Sequence, residues 1–414
     1  MRHVVTLMTG TTIAKVLPII ISPILTRFYS PEDFGLLALF ISIITVLSSI
    51  VTARYDSAIM LPKGDLDALH ILVLSIVIAL FFSGIVLMII IFFNKQITIF
   101  LNNEDIAIWL YLIPFMIFIN GVYQSFIYWS NRKKLYKRMA IYSVIQSSSY
   151  SGFSLIFGFL SLHFGLILGR FLGIFSSFII FGKTIWNENR LQFRNIKKIQ
   201  IINMARQYSN FLKFSTPGAL LQTMATSGIA ILINILFDSK IVGFYYFADI
   251  MVRTPIGFIL SSVSQVYHQK AVGLYYESVE DLRIYTYTLQ KKLILILFPL
   301  MIIIYIIAPD MFQFIFGKKW EIAGEYLRYF LPVVFFGSIY SPIAHLIDIL
   351  EEQKFELIWK TSFFIFQVSS LYISSLYFDF PVSIFIMSCF ASLHYIYINY
   401  YLNHRMLQLI KEEK

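Results

Sequence analysis

Residues 68–93 read ALHILVLSIVIALFFSGIVLMIIIFF, a stretch without one Asp, Glu, Lys or Arg. A helix crossing a hydrocarbon core of about 30 Å needs roughly 20 mostly apolar residues. In lipid the backbone must satisfy its own hydrogen bonds, and a helix does so within one segment. The stretch therefore predicts a membrane-spanning helix. Comparable runs stand at about 4–26, 34–53, 107–129, 139–160, 163–182, 214–236, 241–262, 293–315, 325–348, 356–378 and 380–402, making twelve predicted spans in all.

Composition agrees with lipid as the solvent. Of 414 residues, 58% are hydrophobic and 14% charged, with a mean hydropathy of +0.74. Soluble domains carry about 25% charged residues, so this chain has too few to cover a water-facing surface. Little length is left for a soluble catalytic domain. The formal net charge of +10 lies in short segments between apolar runs, which points to topology and anionic lipid headgroups rather than nucleic acid. Cys389 is the single cysteine, so no intrachain disulfide can form. No Walker phosphate loop or metal-ligand spacing is present, and no cofactor or metal is expected.

The breaks carry capping chemistry. In Ser30-Pro31-Glu32-Asp33, Ser30 suits an N-cap, Pro31 the first helical turn, and the two acids the positive end of the helix dipole. Asn102-Asn103-Glu104-Asp105 plays the same part before the fourth span. Lys and Arg collect at 132–138, 183–213 and 270–292, whereas the alternate connections hold only Arg27, Lys95, Lys240, Lys318 and Lys319. That bias predicts both termini in the cytoplasm.

Two halves echo each other. Asp33-Phe34-Gly35 corresponds to Ile241-Val242-Gly243, each placing a glycine near the start of a half's second helix, and Pro114 corresponds to Pro332. Six spans per half make the repeats parallel. The expected architecture is all-α: two six-helix bundles related by a parallel pseudo-two-fold repeat, with an N-terminal lobe at 1–182, a connection at 183–213 and a C-terminal lobe at 214–414. Leu191, Phe193, Ile196, Ile199 and Ile202 alternate with basic and polar residues, predicting an amphipathic interfacial helix in the connection.

Polar groups inside spans are costly and mark cavities. Thr11, Lys15, Pro18 and Ser22 share one face of the first span; Thr216, Thr223, Ser227, Ala230 and Asn234 form a matching stripe in the seventh. A central charge costs about 2.5–3.5 kcal/mol on insertion scales, so Lys15 is a candidate anion ligand, with snorkelling or an ion pair as the alternative. Arg54 at the inner end of the second span is suited to a phosphate by the guanidinium fork, with a lipid-headgroup anchor as the alternative, and Arg170 within the sixth can reach the cleft or the outer interface. Asp249 and Arg253, four apart, form either a neutralising pair or one that opens to an anion. Asp56, Asp249, Asp348 and Lys360 are candidate gating or ion-coupling residues. Pro18, Pro114, Pro299, Pro332 and Pro342 permit kinks, and His345 reads as packed within a span.

The segment ISPILTRFYSPEDFG at 21–35, followed by ARYDSAIMLP at 53–62, resembles the polysaccharide transporter family of O-antigen and capsule flippases. This family lies within the multidrug, oligosaccharidyl-lipid and polysaccharide exporter superfamily. The resemblance implies two six-helix bundles around a V-shaped cavity, in the inner membrane of a bacterium. It implies a flippase that moves undecaprenyl-pyrophosphate-linked oligosaccharide from the cytoplasmic to the periplasmic leaflet, with membrane lipids, a polysaccharide polymerase and assembly proteins as candidate partners. Such proteins set basic residues against the pyrophosphate. Lys15, Arg54, Arg170 and Arg253 are the positions to test; only the Arg54 region rests on the motif, the others on depth and helix face. A multidrug or metabolite antiporter on the same scaffold would favour embedded acids. A membrane enzyme of polysaccharide assembly would favour a large outer loop, and every outer connection here is short.

Overall fold

The computed structural model describes residues 2–412, with side chains from Thr12 onward. Thr11 of the predicted stripe thus lies outside the described side chains. Among the described residues every regular element is a helix. In chain order these are α1 (Arg2–Phe28), α2 (Pro31–Ser48), α3 (Tyr55–Ala58), α4 (Asp65–Phe100), α5 (Ala107–Leu110), α6 (Ile113–Arg132), α7 (Tyr136–Phe159), α8 (Gly165–Phe193) and α9 (Lys198–Gln207). There follow α10 (Thr216–Thr226), α11 (Gly228–Leu236), α12 (Ser239–Glu277), α13 (Val279–Phe316), α14 (Glu321–Tyr340), α15 (Leu346–Ile349), α16 (Gln353–Ser375) and α17 (Phe380–Glu412).

Each predicted span falls on one of these helices or on an adjoining pair. Six, namely α2, α4, α8, α12, α13 and α17, are long and apolar enough to cross a membrane by length and composition; the bent pair 211–236 makes a seventh. The protein is an all-α, multi-pass membrane protein. Along α4 and α13, Leu80, Phe81, Phe92, Leu295 and Ile296 stand exposed, the pattern of a surface solvated by acyl chains.

Local chemistry accounts for the helix ends. Ser30 Oγ accepts from the Asp33 amide at 3.2 Å while Asp33 Oδ2 accepts from the Ser30 amide at 2.8 Å, a reciprocal capping box. Asn103 Oδ1 accepts from the Ile106 amide at 3.1 Å. The apolar run that opened the reading ends at Phe93, where α4 departs from helical geometry at φ −120° and ψ 17°.

Several expectations are corrected. The basic connection at 270–292 is a helical hairpin whose helices run beyond the predicted spans: α12 runs to Glu277, and Ser278 caps α13 by accepting from the Asp281 amide at 3.2 Å. Pro114 and Pro342 begin helical turns, where a missing N–H costs nothing, whereas Pro18, Pro299 and Pro332 lie inside helices. His345 precedes α15 with a side chain 58% exposed, 3.6 Å from Asp348. The amphipathic segment is divided. Leu191 and Phe193 belong to α8, and α9 packs its Ile201, Met204 and Ala205 face on the core while Ile199 and Ile202 remain exposed.

By packing, the chain forms two compact units, Met1–Gly243 and Phe244–Lys414. In the first, α7 packs on α1 and α8, α4 on α6 and α9, and α10 and α11 on α2. Trp129, Phe181 and Leu72 are fully buried at its core, with Tyr142 stacked on Phe181 at 4.2 Å. Because α10 and α11 lie against α2, residues 214–243 join this unit, although the repeat assigns them to the second half. In the second unit Phe247 packs edge-on against Phe312 and Phe316 and tilts over Trp320.

The two echoed glycines meet reciprocally within the first unit. A Cβ on Gly35 would lie 1.7 Å from the Ser239 carbonyl oxygen, and one on Gly243 would lie 1.8 Å from that of Pro31. Each glycine thus faces the backbone four residues before the other. Lys240 and Glu32, also corresponding positions, pair at 3.2 Å beside them. In lipid, where apolar surface gives little drive to helix association, such backbone approach is what small residues allow.

A candidate anion-binding cavity

The first unit holds two adjoining cavities. The larger, of about 440 Å³, is lined by α2, the α2–α4 connection, α6, α7, α8 and α10; the smaller, of about 340 Å³, by α1, α7 and α8. Gln146 and Arg170 border both. Pockets for drug-sized ligands measure about 300–1,000 Å³, so each cavity is of binding size.

Arg54 lines the larger cavity on an unusual backbone. Ala53 at φ 49° and Arg54 at φ 60° are consecutive left-handed residues, a conformation that costs non-glycine residues about 1–2 kcal/mol each. Such strain persists where surrounding contacts over-determine it, and it clusters at functional sites. Here the contacts are specific. Thr52 Oγ1 donates to Asp56 Oδ1 at 2.9 Å, and Tyr55 Oη donates to the Ala205 carbonyl of α9 at 2.8 Å. Arg132 gathers the following loop, donating to the Pro62 carbonyl at 2.7 Å, to the Lys63 carbonyl at 3.2 Å and to Asp65 Oδ1 at 3.0 Å. Arg54 Nε is buried with no hydrogen-bond partner among the described residues.

Asp56 lies in the connection between spans, on the wall of the same cavity and 3% exposed. Burial pushes its carboxyl pKa up, against the Arg54 charge and the Thr52 hydroxyl, which act to lower it. Arg170 projects from α8 with its guanidinium 5.7 Å from the Tyr150 ring centre, a cation–π contact. Lys15 lines the smaller cavity beside Pro18 and Ser147. Among the described residues Lys15, Arg54 and Arg170 form no ion pair. Three cations stand against one carboxylate around the paired cavities, a charge balance that favours an anion over a cation.

The other sequence candidates stand apart. Arg253 lies in the second unit and donates from Nε to Asp249, so its charge is already neutralised. Lys360 pairs with Glu356 at 2.6 Å, and Asp348 faces His345, so these two do not pair with each other. Of the seventh-span stripe, Thr223 reaches the larger cavity. The helix bends by 48° between Thr226 and Gly228, and Asn234 beyond the bend is buried, donating to the Leu101 carbonyl at 2.5 Å. Among the described residues no group of three or more His, Cys, Asp and Glu side chains forms a metal site.

Sequence reasoning passed over most of the polar wall. Thr45 and Ser48 from α2, Ser49 and Thr52 from the turns that follow it, Asn120 and Gln124 from α6, and Gln146 from α7 all line the larger cavity. The signal was available: 45, 48, 49 and 52 recur at helical spacing on one face, and 120 and 124 stand four apart.

No curated protein sequence matches the chain. Solved structures match it over nearly its whole length at low identity. An inward-facing multidrug resistance MATE family transporter of the MOP superfamily shows a TM-score of 0.74 at 15% identity, covering 98% of this chain and 96% of that one. A MOP superfamily transporter from Pyrococcus furiosus, described as having a binding pocket of reverse polarity that suggests a different function, shows 0.56 at 14%, with 98% and 96% covered. A MATE protein in complex with MaD3S shows 0.58 at 14%, with 99% and 96% covered. These likenesses establish the two-lobed fold of that superfamily. The family model described as Polysaccharide biosynthesis protein matches residues 24–324, nearly three quarters of the sequence, and the chain belongs to that family.

Proposed function

We propose that the protein is a flippase for a polyprenyl-diphosphate-linked oligosaccharide, a repeat unit of O-antigen, capsule or exopolysaccharide, and not an enzyme. In this reading it sits in a bacterial inner membrane with both termini cytoplasmic. Two lobes, 1–182 and 214–414, joined by 183–213, alternate access to the cavity. The observation that carries the reading is the pair Arg54 and Arg170, which line one cavity with no carboxylate in ion-pair contact among the described residues. A diphosphate crossing hydrocarbon unaided meets a charge penalty of several kcal/mol, and fixed cations in a wet cavity offset it. The prenyl tail stays in lipid, and no covalent step is required.

The rival reading, export of cationic drugs, draws on the multidrug transporters among the structural neighbours. It needs acids to outweigh cations in the cavity, and there Asp56, which accepts from Thr52, stands against both Arg54 and Arg170. The test is reconstitution into proteoliposomes with a defined prenyl-diphosphate oligosaccharide, scoring its transfer between leaflets under proton and sodium gradients. Transfer above that of protein-free vesicles is expected; none with folded protein under either gradient refutes the proposal.

A further inference from the structure

Besides its two guanidiniums the larger cavity carries neutral polar side chains. Asn120 and Gln124 on α6 and Gln146 on α7 bring three carboxamides to it, and Thr45 and Ser48 of α2 with Ser49 at its C-cap bring hydroxyls. Their hydrogen-bonding capacity is only partly spent. Among the described residues the side chains of Gln124 and Gln146 form no hydrogen bond, and that of Asn120 donates only to Ser48 Oγ, at 3.4 Å. Thr45 and Ser49 give their protons to helix carbonyls, Ile41 and Val46, at 2.7 Å each. Their oxygens therefore keep lone pairs for a donor in the cavity, while the carboxamides supply both donors and acceptors.

Resting on the flippase reading, we infer that this wall is a saccharide subsite that reads the sugar nearest the diphosphate, with Asn120 and Gln124 as its principal ligands. A sugar hydroxyl both donates and accepts, and a face that mixes free carboxamides with acceptor-only hydroxyls matches it group for group. Neutral polar side chains read such a ligand without the strong pull of a charge. Arg54 and Arg170 border the same cavity, so one ligand can hold its diphosphate on the guanidiniums and its first sugar on the carboxamides. A site built to hydrogen-bond hydroxyls discriminates strongly against a ligand that lacks them, because its own polar groups are then left unpaired.

The test compares two probes on the full-length protein in lipid nanodiscs: undecaprenyl diphosphate alone, and the same carrier bearing a neutral hexose trisaccharide. Wild-type protein should bind the saccharide-bearing probe at least tenfold more tightly. Asn120→Ala with Gln124→Ala should cut that preference by about tenfold, the scale of losing one or two neutral hydrogen bonds, and leave affinity for the bare carrier unchanged. Gln124→Asn, which keeps the carboxamide, should retain part of the preference, and Arg170→Gln should weaken both probes alike. A bare carrier that binds, with no saccharide preference in the wild type or an unaltered preference in the carboxamide variants, overturns this inference alone. A bare carrier that does not bind overturns the diphosphate reading and this inference with it.

Discussion

Replacing Arg170 by Gln removes the one cation that borders both cavities and leaves no carboxylate stranded, because Arg170 has no ion-pair partner among the described residues. The folding cost should therefore be small, about 0.5–1 kcal/mol for the lost contact with Tyr150. The binding cost should be larger. A hydrogen bond involving a charged group contributes about 1.5–3 kcal/mol, and each 1.4 kcal/mol is tenfold in affinity, so undecaprenyl diphosphate should bind about 10- to 150-fold more weakly. Titration of the purified variant in nanodiscs, alongside its thermal unfolding, reads both quantities. Affinity within twofold of wild type, in protein that unfolds normally, would show that the guanidinium does not face the ligand.

Arg253→Gln should behave in the opposite way. It strands Asp249, and breaking a buried pair costs about 3–5 kcal/mol at full burial, so part of that loss should appear in thermal stability and be regained in the double variant Asp249→Asn/Arg253→Gln. Arg54→Gly releases a left-handed side chain and should unfold at the wild-type temperature or higher, yet lose at least tenfold in diphosphate affinity. Gly243→Ala would place a methyl 1.8 Å from the Pro31 oxygen and should lower stability by about 1–3 kcal/mol, the usual cost of overpacking, seen as an earlier melt in detergent. Asp56→Asn should stabilise the protein at neutral pH, because burial raises the carboxyl pKa in the folded state and its ionised form is disfavoured there. That gain should fade as the pH falls through the folded-state pKa and vanish below the ordinary carboxylate value, checked by thermal unfolding across a pH series.

The spans were legible because lipid imposes one rule on every crossing segment, and the run at 68–93 obeys it without interruption. The cap at Ser30 was equally plain, since Ser, Pro and two acids act through neighbours in sequence. Gly35 and Gly243 could be matched by eye, but their reciprocal approach needs the helices in place. Arg54, Arg170 and Lys15 stand far apart in sequence, and their gathering around adjoining cavities depends on which face each helix turns inward. Local spacing does mark one pair: Asp249 stands four residues before Arg253 and the two are joined, whereas no acid stands one helical turn from Arg170. The role of Arg132, which ties down the loop after Arg54 through carbonyls far from it in sequence, had no local sign at all.

The most direct measurement is thiol labelling of Ser49→Cys in a Cys389→Ser background, since Ser49 lines the larger cavity and Cys389 is the only native cysteine. A membrane-impermeant thiol reagent should modify Cys at this position, and undecaprenyl diphosphate should slow the reaction in proportion to its occupancy, with Arg170→Gln blunting the protection. A thiol that reacts equally with and without the lipid diphosphate, or that no water-borne reagent reaches, contradicts a wet cationic cavity that holds the carrier.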